Sequence, residues 1–452
     1  CDGGDKRWYA STLELQLASR EFCTACRRVP MLHVRVDENT PCSLWSPRKS
    51  QTRPNTRSSK VRIFSRVPAV RALRLTWGLP LEVLHEGAAV ELWTWLELLT
   101  LRRGPSSLGG LGSVAWPQKR LKHLALDTDF NQTIAGVVWP DSLLHLSLGA
   151  KFNQPIAGLV WPAAIERLIF GNDFNQPIVG VLWPASLQHL LFGDSFDQPV
   201  VGDVWPASLK QLIFGHTFNQ PVVGVVWPTS LQELSFGALF NQPIVGVVWP
   251  TVLRHLSFRS CFIRPIAGVE WPDSLQDLSF GTWFNQPIVG VVWPTSLQKL
   301  SFGRSFNQPI VGVVWPAALT QLVFGFDFNQ PIEGVVWPAS LQQISFGKCF
   351  NQPIAGVVWP ATMAQLEIGQ GQGQDFNQPI VGVVWPTILP QLSFGDSFNC
   401  PIAGVVWPAL QRLSFGDSFN QPVAGVAWPA SLKTLSFGKR FNQIIAGARV
   451  VW

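Results

Sequence analysis

The chain has 452 residues with 22 Trp, 30 Phe, 38 Gly and 36 Pro, but one Tyr and two Met, and only 14% of it is charged. An ordinary soluble domain carries roughly 25% charged residues, yet no stretch here reaches the ~18 uncharged apolar residues of a membrane-spanning helix. Disorder of most of the chain is also excluded, because disordered chains have few aromatics and high charge.

The charge is lopsided. Residues 1–129 hold 20 Lys/Arg and 12 Asp/Glu, net +8, and residues 130–452 hold 14 and 16, net −2, which together give +6. The first residues, with Asp2, Asp5, Lys6 and Arg7, lack the apolar run of a secretory signal. The seven cysteines (Cys1, Cys23, Cys26, Cys42, Cys261, Cys349 and Cys400) form no disulfide-like framework, so a reduced, intracellular, cytoplasmic setting is expected. Cys23-x-x-Cys26 with His33 and Cys42 could supply four zinc ligands, but a zinc module shows two close ligand pairs and only one is present. Free thiols are the preferred reading. Residues 43–62 are rich in Arg, Ser and Pro and read as a solvated linker in preference to a nucleic-acid contact. Residues 1–66 are thus expected to form a basic, partly disordered segment.

Residues 67–129 read as degenerate leading coils. Pro68-Ala69-Val70-x-x-Leu73-x-Leu75 repeats the spacing of Pro408-Ala409-Leu410-x-x-Leu413-x-Phe415, and Leu96-x-x-Leu99-x-Leu101 and Leu121-x-x-Leu124-x-Leu126 follow. Two rival readings overlap this stretch. Leu79-Pro80-Leu81-Glu82-Val83-Leu84 resembles the opening of an F-box, though too few residues follow for three helices. Residues 60–77, with Arg62, Arg66, Arg71 and Arg74 among apolar residues, could form a basic amphipathic calmodulin target, interrupted by Pro68.

From Phe130 the sequence repeats every 22 residues (Phe130, Phe152, Phe174 and onward to Phe350), then at Phe376, Phe398, Phe419 and Phe441. An insert around Gln370–Asp375 lengthens one step, and a residue missing after Pro408 shortens another. One unit reads Phe306-Asn-Gln-Pro-Ile310-Val-Gly312-Val-Val-Trp315-Pro316-Ala-Ala-Leu319-Thr-Gln-Leu322-Val-Phe324-Gly325. Leu322 and Phe324 lie two apart, so both face the core of a short strand. Gly325 is expected to end that strand at positive φ. The Asn of the Phe-Asn-Gln-Pro corner is expected to bond to backbone of the turn and neighbouring coil. Val313-Val314-Trp315 reads as a second extended run, and Trp-Pro forces an extended exit. A single coil leaves much apolar surface wet, so neighbours must stack to bury it. The pattern stops inside a unit at Trp452 and starts without Met, so a chain truncated at both ends is expected.

This Leu-x-x-Leu-x-Phe-Gly-x-x-Phe-Asn-Gln-Pro-Ile…Pro pattern over residues 116–452 resembles the FNIP repeat family, relatives of leucine-rich repeats. The sequence departs by placing Trp before the Pro, and locally at Asp197, Ile263, Arg264, Cys400, Thr133 and Ile444. The resemblance implies a mainly β solenoid, with leucine-rich-repeat-like coils of 22 residues and one short parallel strand each. It further implies protein-interaction proteins without catalytic residues, some of them F-box fusions, and an association with calmodulin.

No P-loop, HExxH or nucleophile elbow occurs, and acidic residues are too scattered for a paired-carboxylate site. Gly110-Leu111-Gly112-Ser113-Val114-Ala115 matches a dinucleotide loop only formally, because it precedes a strand and opens no helix. His145, His189 and His255 share one column, but at two and three coils apart they stand about 10 and 14 Å from one another, too far to share an ion. No cofactor, metal or membrane partner is expected, and nucleic acid is disfavoured. The expected function is a non-enzymatic scaffold that binds proteins along the variable strand face. Its candidate residues are His145, Arg167, His189, Gln211, Glu233, His255, Asp277, Lys299, Gln321 and Gln343. The alternatives are an F-box-type ubiquitin-ligase substrate receptor and a calmodulin-binding regulator.

Overall fold

The structure is a computed structural model that describes residues 72–76, 97–102, 111, 116, 119–126, 128–369 and 376–444. The Cys23, Cys26, His33 and Cys42 constellation, the 43–62 linker, the F-box-like Leu79–Leu84 and the Gln370–Asp375 insert lie outside them. Of the suggested calmodulin segment only residues 72–76 are described, and they form a strand. The described chain is a parallel β-solenoid with one short strand per coil and no α-helix among the described residues.

Two compact units share the chain, one ending at Gln198 and including Asp203–Leu209, the other comprising Pro199–Gly202 and Lys210 onward. In the first, strand β1 (Ala72–Thr76) pairs in parallel with β2 (Leu98–Arg102), which pairs with β3 (His123–Ala125). The ladder continues through β4 (His145–Ser147), β5 (Arg167–Ile169) and β6 (His189–Leu191). The central Leu residues stay in register: Leu73, Leu99, Leu124, Leu146, Leu168 and Leu190. In the second unit β7 (Gln211–Ile213) through β17 (Thr434–Ser436) pair in sequence order with the same register, for example Leu278 opposite Leu300 and Leu300 opposite Leu322. Successive coils of equal length put each residue beside its own equivalent, so register follows from the 22-residue period.

The core is a set of stacked columns. Leu319, Leu322, Phe324, Phe328, Ile332, Val313 and Trp315 are all buried. Phe324 lies flat against Phe328 at 4.2 Å and meets Trp315 edge-on at 6.4 Å, the two favoured aromatic geometries. Neighbouring strands run ~4.8 Å apart, whereas equivalent rings lie farther apart away from the strand. Phe302 and Phe324 are separated by 5.8 Å, Phe306 and Phe328 by 6.1 Å, and Trp315 and Trp337 by 6.2 Å. The coils of this unit therefore splay away from the strands, and the strand side is its inner face.

The Val313-Val314-Trp315 run is extended, with Val313 and Trp315 inside and Val314 outside, but it is not a strand. Glycine corrects a second expectation. Gly325 does not adopt positive φ; Gly312 does, at +84°. Gly325 is required for another reason: a Cβ there would overlap the backbone carbonyl of Gly303 in the preceding coil.

The corner Asn residues form a ladder. Asn329 Oδ1 accepts the N–H of Asn351 at 2.9 Å and Gln352 Nε2 at 3.0 Å, one coil onward. Asn329→Ala removes the acceptor of the Asn351 N–H and leaves Gln352 Nε2 only the Asn329 backbone carbonyl, 3.0 Å away, in a half-buried corner, and we expect a loss of about 1–2 kcal/mol. Hydrogen exchange should report it as faster opening at the Asn351 amide. Protection equal to wild type would show that water replaces the side chain without cost.

Candidate functional site

Each of the ten sequence-selected residues opens a strand, and each points away from the buried central Leu or Ile. His145, Arg167 and His189 head β4, β5 and β6 of the first unit. In the second unit Gln211 heads β7, Glu233 heads β8 (Glu233–Ser235) and His255 heads β9 (His255–Ser257). Asp277 heads β10 (Asp277–Ser279), Lys299 heads β11 (Lys299–Ser301), Gln321 heads β12 (Gln321–Val323) and Gln343 heads β13 (Gln343–Phe346). They alternate with core residues because side chains along a strand point to opposite faces.

Five of the ten, Glu233, His255, Asp277, Lys299 and Gln321, line one groove of about 440 Å³ across β7–β12. Parallel register sets Asp277 beside His255 on one side and Lys299 on the other. His255 Nδ1 lies 2.8 Å from Asp277 Oδ2, and Gln211 Nε2 donates to Glu233 Oε2 at 2.7 Å. These contacts hold the two carboxylates in place on the open face. The groove floor carries Ser235, Ser257, Ser279 and Ser301, and Ser279 Oγ donates to Ser257 Oγ at 3.0 Å. Gln343 lies beyond the groove lining, and the three residues of the first unit belong to a separate stretch of the same kind of face.

Arg259 also lines the groove, and the residue selection by strand position missed it. It occupies the column otherwise held by Gly237, Gly281, Gly303 and Gly325. That break in an otherwise glycine column was the signal that could have found it. With Lys299, which lies beside Asp277 in the strand-opening column, it adds positive charge to a groove that also carries Glu233 and Asp277.

In the first unit the His123 and His145 rings lie 4.4 Å apart, tilted by 32°. Burial pushes both imidazoles below their usual pKa; the charge of Lys122 adds to this at His123, and that of His123 at His145. Both therefore stay neutral and apolar-faced at pH 7. Among the described residues, no group of three or more His, Cys, Asp or Glu side chains is placed to hold a metal ion, and no helix is long and apolar enough to cross a membrane. Cys261, Cys349 and Cys400 form no disulfide.

The family model described as FNIP Repeat matches the chain in two runs of overlapping windows, from 152–195 to 218–261 and from 262–305 to 328–371. Among solved structures, the crystal structure of CroV588, described as a novel circular LRR protein, is 36% identical with a TM-score of 0.69. The match covers 84% of this chain and 61% of that one, so the chain spans about three-fifths of that relative's length. A TLR13–ssRNA13 complex and a leucine-rich repeat protein from Bacteroides ovatus are each 13% identical, with TM-scores of 0.46 and 0.19. Those matches cover 85% of this chain in both cases, and 69% and 88% of theirs. No curated protein matches the sequence significantly.

Proposed function

The FNIP repeats of residues 152–371 place this chain in a leucine-rich-repeat-like solenoid family, and from that premise we propose that it binds other proteins along its strand face as a non-enzymatic scaffold. Solenoids of this type are generally protein-interaction scaffolds, because stacked coils create long surfaces that need no cleft. The observation that carries the reading is the groove across β7–β12. Its rim is charged, while the Leu column beneath is wholly committed to the core.

The partner we infer presents basic groups to Glu233 and Asp277 and an acidic group to Lys299 and Arg259. Exposed charges of this kind set orientation and association rate more than raw affinity. The contacts are spread over four coils, so no single one dominates.

The test is affinity purification on the wild-type chain and on the charge-swapped variant Asp277→Lys, Lys299→Glu. Partners captured by wild type are expected to bind the variant about 10- to 100-fold more weakly, mainly through slower association. Both substitutions are on the open face, so thermal unfolding should be unchanged. Equal binding by both proteins would sink the strand-face assignment.

A further inference from the structure

One coil replaces the corner glycine, asparagine and glutamine together. Where most coils read Gly-x-x-Phe-Asn-Gln, residues 259–264 read Arg-Ser-Cys-Phe-Ile-Arg. The replacements lose bonds. Phe262 makes no turn bond to Arg259, although Phe240, Phe284 and Phe306 each bond to the glycine three residues before. Ile263 has no side-chain acceptor for the Asn285 N–H, whereas Asn285 Oδ1 accepts the N–H of Asn307 at 2.9 Å. Local rules broken together, at a loss of stability, are expected at functional sites.

What the corner gains is exposed cation and exposed apolar surface. Arg259, Arg264 and Arg304 are exposed, and none of them is in an ion pair among the described residues. Arg264 Nε donates to the Asn241 carbonyl at 2.8 Å, which anchors the guanidinium by one nitrogen and leaves the other two. Leu239, Ile263 and Trp283 stand on the same corners, exposed by 41, 44 and 56%. Backbone bonds hold these corners side by side, from Cys261 to the Ala238 carbonyl, Trp283 to Ser260 and Ser305 to Thr282, at 2.8, 2.9 and 2.8 Å. The corner segments 237–242, 259–264, 281–286 and 303–308 contain no Asp or Glu, although residues 130–452 as a whole are net −2.

We propose that these corners bind an extended acidic segment of a partner protein, lying across the coils with apolar and acidic side chains in turn. Charge selects the acid, because guanidinium forks without a carboxylate partner take one bidentately. Spacing selects the extended backbone. Phe240, Phe262, Phe284 and Phe306, beneath these corners, follow one another at 6.1, 6.1 and 6.2 Å. Every second residue of an extended chain advances about 6.6 Å, so alternate side chains fall on successive coils. They meet Leu239, then Arg264, then Trp283, then Arg304. The complementary pattern is apolar-x-acidic-x-apolar-x-acidic. Single-stranded nucleic acid asks for successive flat aromatic platforms. Trp283 is a single such ring, and Phe326 is already covered by Arg304 and Lys348, at 4.4 and 4.8 Å from its centroid. The corner is distinct from the strand-face groove, with Arg259 lining both.

The test is fluorescence anisotropy of the whole chain with the labelled peptide Leu-Ser-Glu-Ser-Leu-Ser-Glu-Ser-Leu, which presents the pattern in both directions. Wild type should bind it with a Kd on the order of 100 μM. Gln in place of both Glu should weaken binding about tenfold. The variant Ile263→Asn, Arg264→Gln restores the repeat sequence, so its thermal unfolding should be no earlier than that of wild type. It should nevertheless bind the peptide about tenfold more weakly. Trp283→Ser, which copies Ser305 of the next coil, should weaken binding by a similar factor. The strand-face variant Asp277→Lys, Lys299→Glu should bind the peptide as wild type does. No binding by wild type at about 1 mM would overturn the proposal, as would equal binding by wild type and Ile263→Asn, Arg264→Gln. So would loss of the peptide in the strand-face variant alone, which would place it in the groove. Tighter binding of labelled oligothymidylate, or of labelled wild-type chain, that Ile263→Asn, Arg264→Gln abolishes would also overturn it, assigning the corner to nucleic acid or to a second copy.

Discussion

Gly325→Ala is expected to cost about 3 kcal/mol locally and to uncouple the coil from its predecessor. The added Cβ would overlap the carbonyl of Gly303, and its next neighbours are also backbone, so no side chain can rotate away to make room. The two coils must separate at the corner where the turn bond from the Phe328 N–H to the Gly325 carbonyl is made. The chain contains its own control at Arg259. The corresponding bond is made at Phe240, Phe284, Phe306 and Phe328, each to the glycine three residues before, but not from Phe262 to Arg259. A side chain in this column is therefore accommodated by giving up the corner bond. Arg259→Gly should restore it and stabilise by about 1 kcal/mol. By contrast Gly312→Ala meets open space and costs only the positive-φ penalty, about 1–2 kcal/mol. Repeat arrays need not unfold in one step, so hydrogen exchange at Leu300, Leu322 and their neighbours is the measurement. Equal protection in Gly325→Ala and Gly312→Ala would refute the steric argument.

How far the fold could be read from the sequence follows from what a repeat exposes. The two-residue spacing of Leu322 and Phe324, multiplied over many units, fixes strand, core face and parallel register together. Strand-opening residues such as Asp277 and Lys299 were legible as a polar column for the same reason. What spacing does not show is how close two backbones come. Gly312 and Gly325 both recur through the array, and spacing alone does not tell which takes positive φ and which lies against the neighbouring backbone. Val313 and Val314 are equally apolar, and only the fold tells that one is core and the other solvent-facing. The groove depends on registering six coils side by side, and Arg259 enters it from a glycine column. Before the array only the Leu spacing of the leading coils recurs, and the Cys23, Cys26, His33 and Cys42 constellation and the Leu79–Leu84 pattern each have a single copy to argue from.

Asp203→Val should stabilise the chain at pH 7 by about 3 kcal/mol, an increment that disappears on acidification. Asp203 stands in the core column occupied by Val181, Val225 and Val313 in other coils. It is 6% exposed, and neither carboxylate oxygen has a hydrogen-bond partner. Burial pushes its pKa up from 3.8 to about 6, because an unpaired charge in apolar surroundings is disfavoured. The folded pKa thus lies above the unfolded one, so the folded state holds its proton more tightly. Below about pH 4 both states are protonated and no penalty applies. As pH rises through the window from 3.8 to 6 the penalty grows, and above it the penalty is constant at about 3 kcal/mol, from 1.36 kcal/mol per pKa unit. Other groups titrate nearby in pH. His123 and His145, whose pKa values are lowered by burial, cost stability as pH falls below the usual imidazole value. Comparing wild type with Asp203→Val at each pH cancels them, since both proteins carry them. The difference in unfolding midpoint should be largest near pH 7 and close to the cost of a simple Asp-to-Val size change near pH 4. Asp203→Asn is the control that removes the charge but keeps the polar group, and should recover the pH-dependent part alone. A pH-independent difference between wild type and Asp203→Val would mean that the carboxylate reaches water in the folded chain.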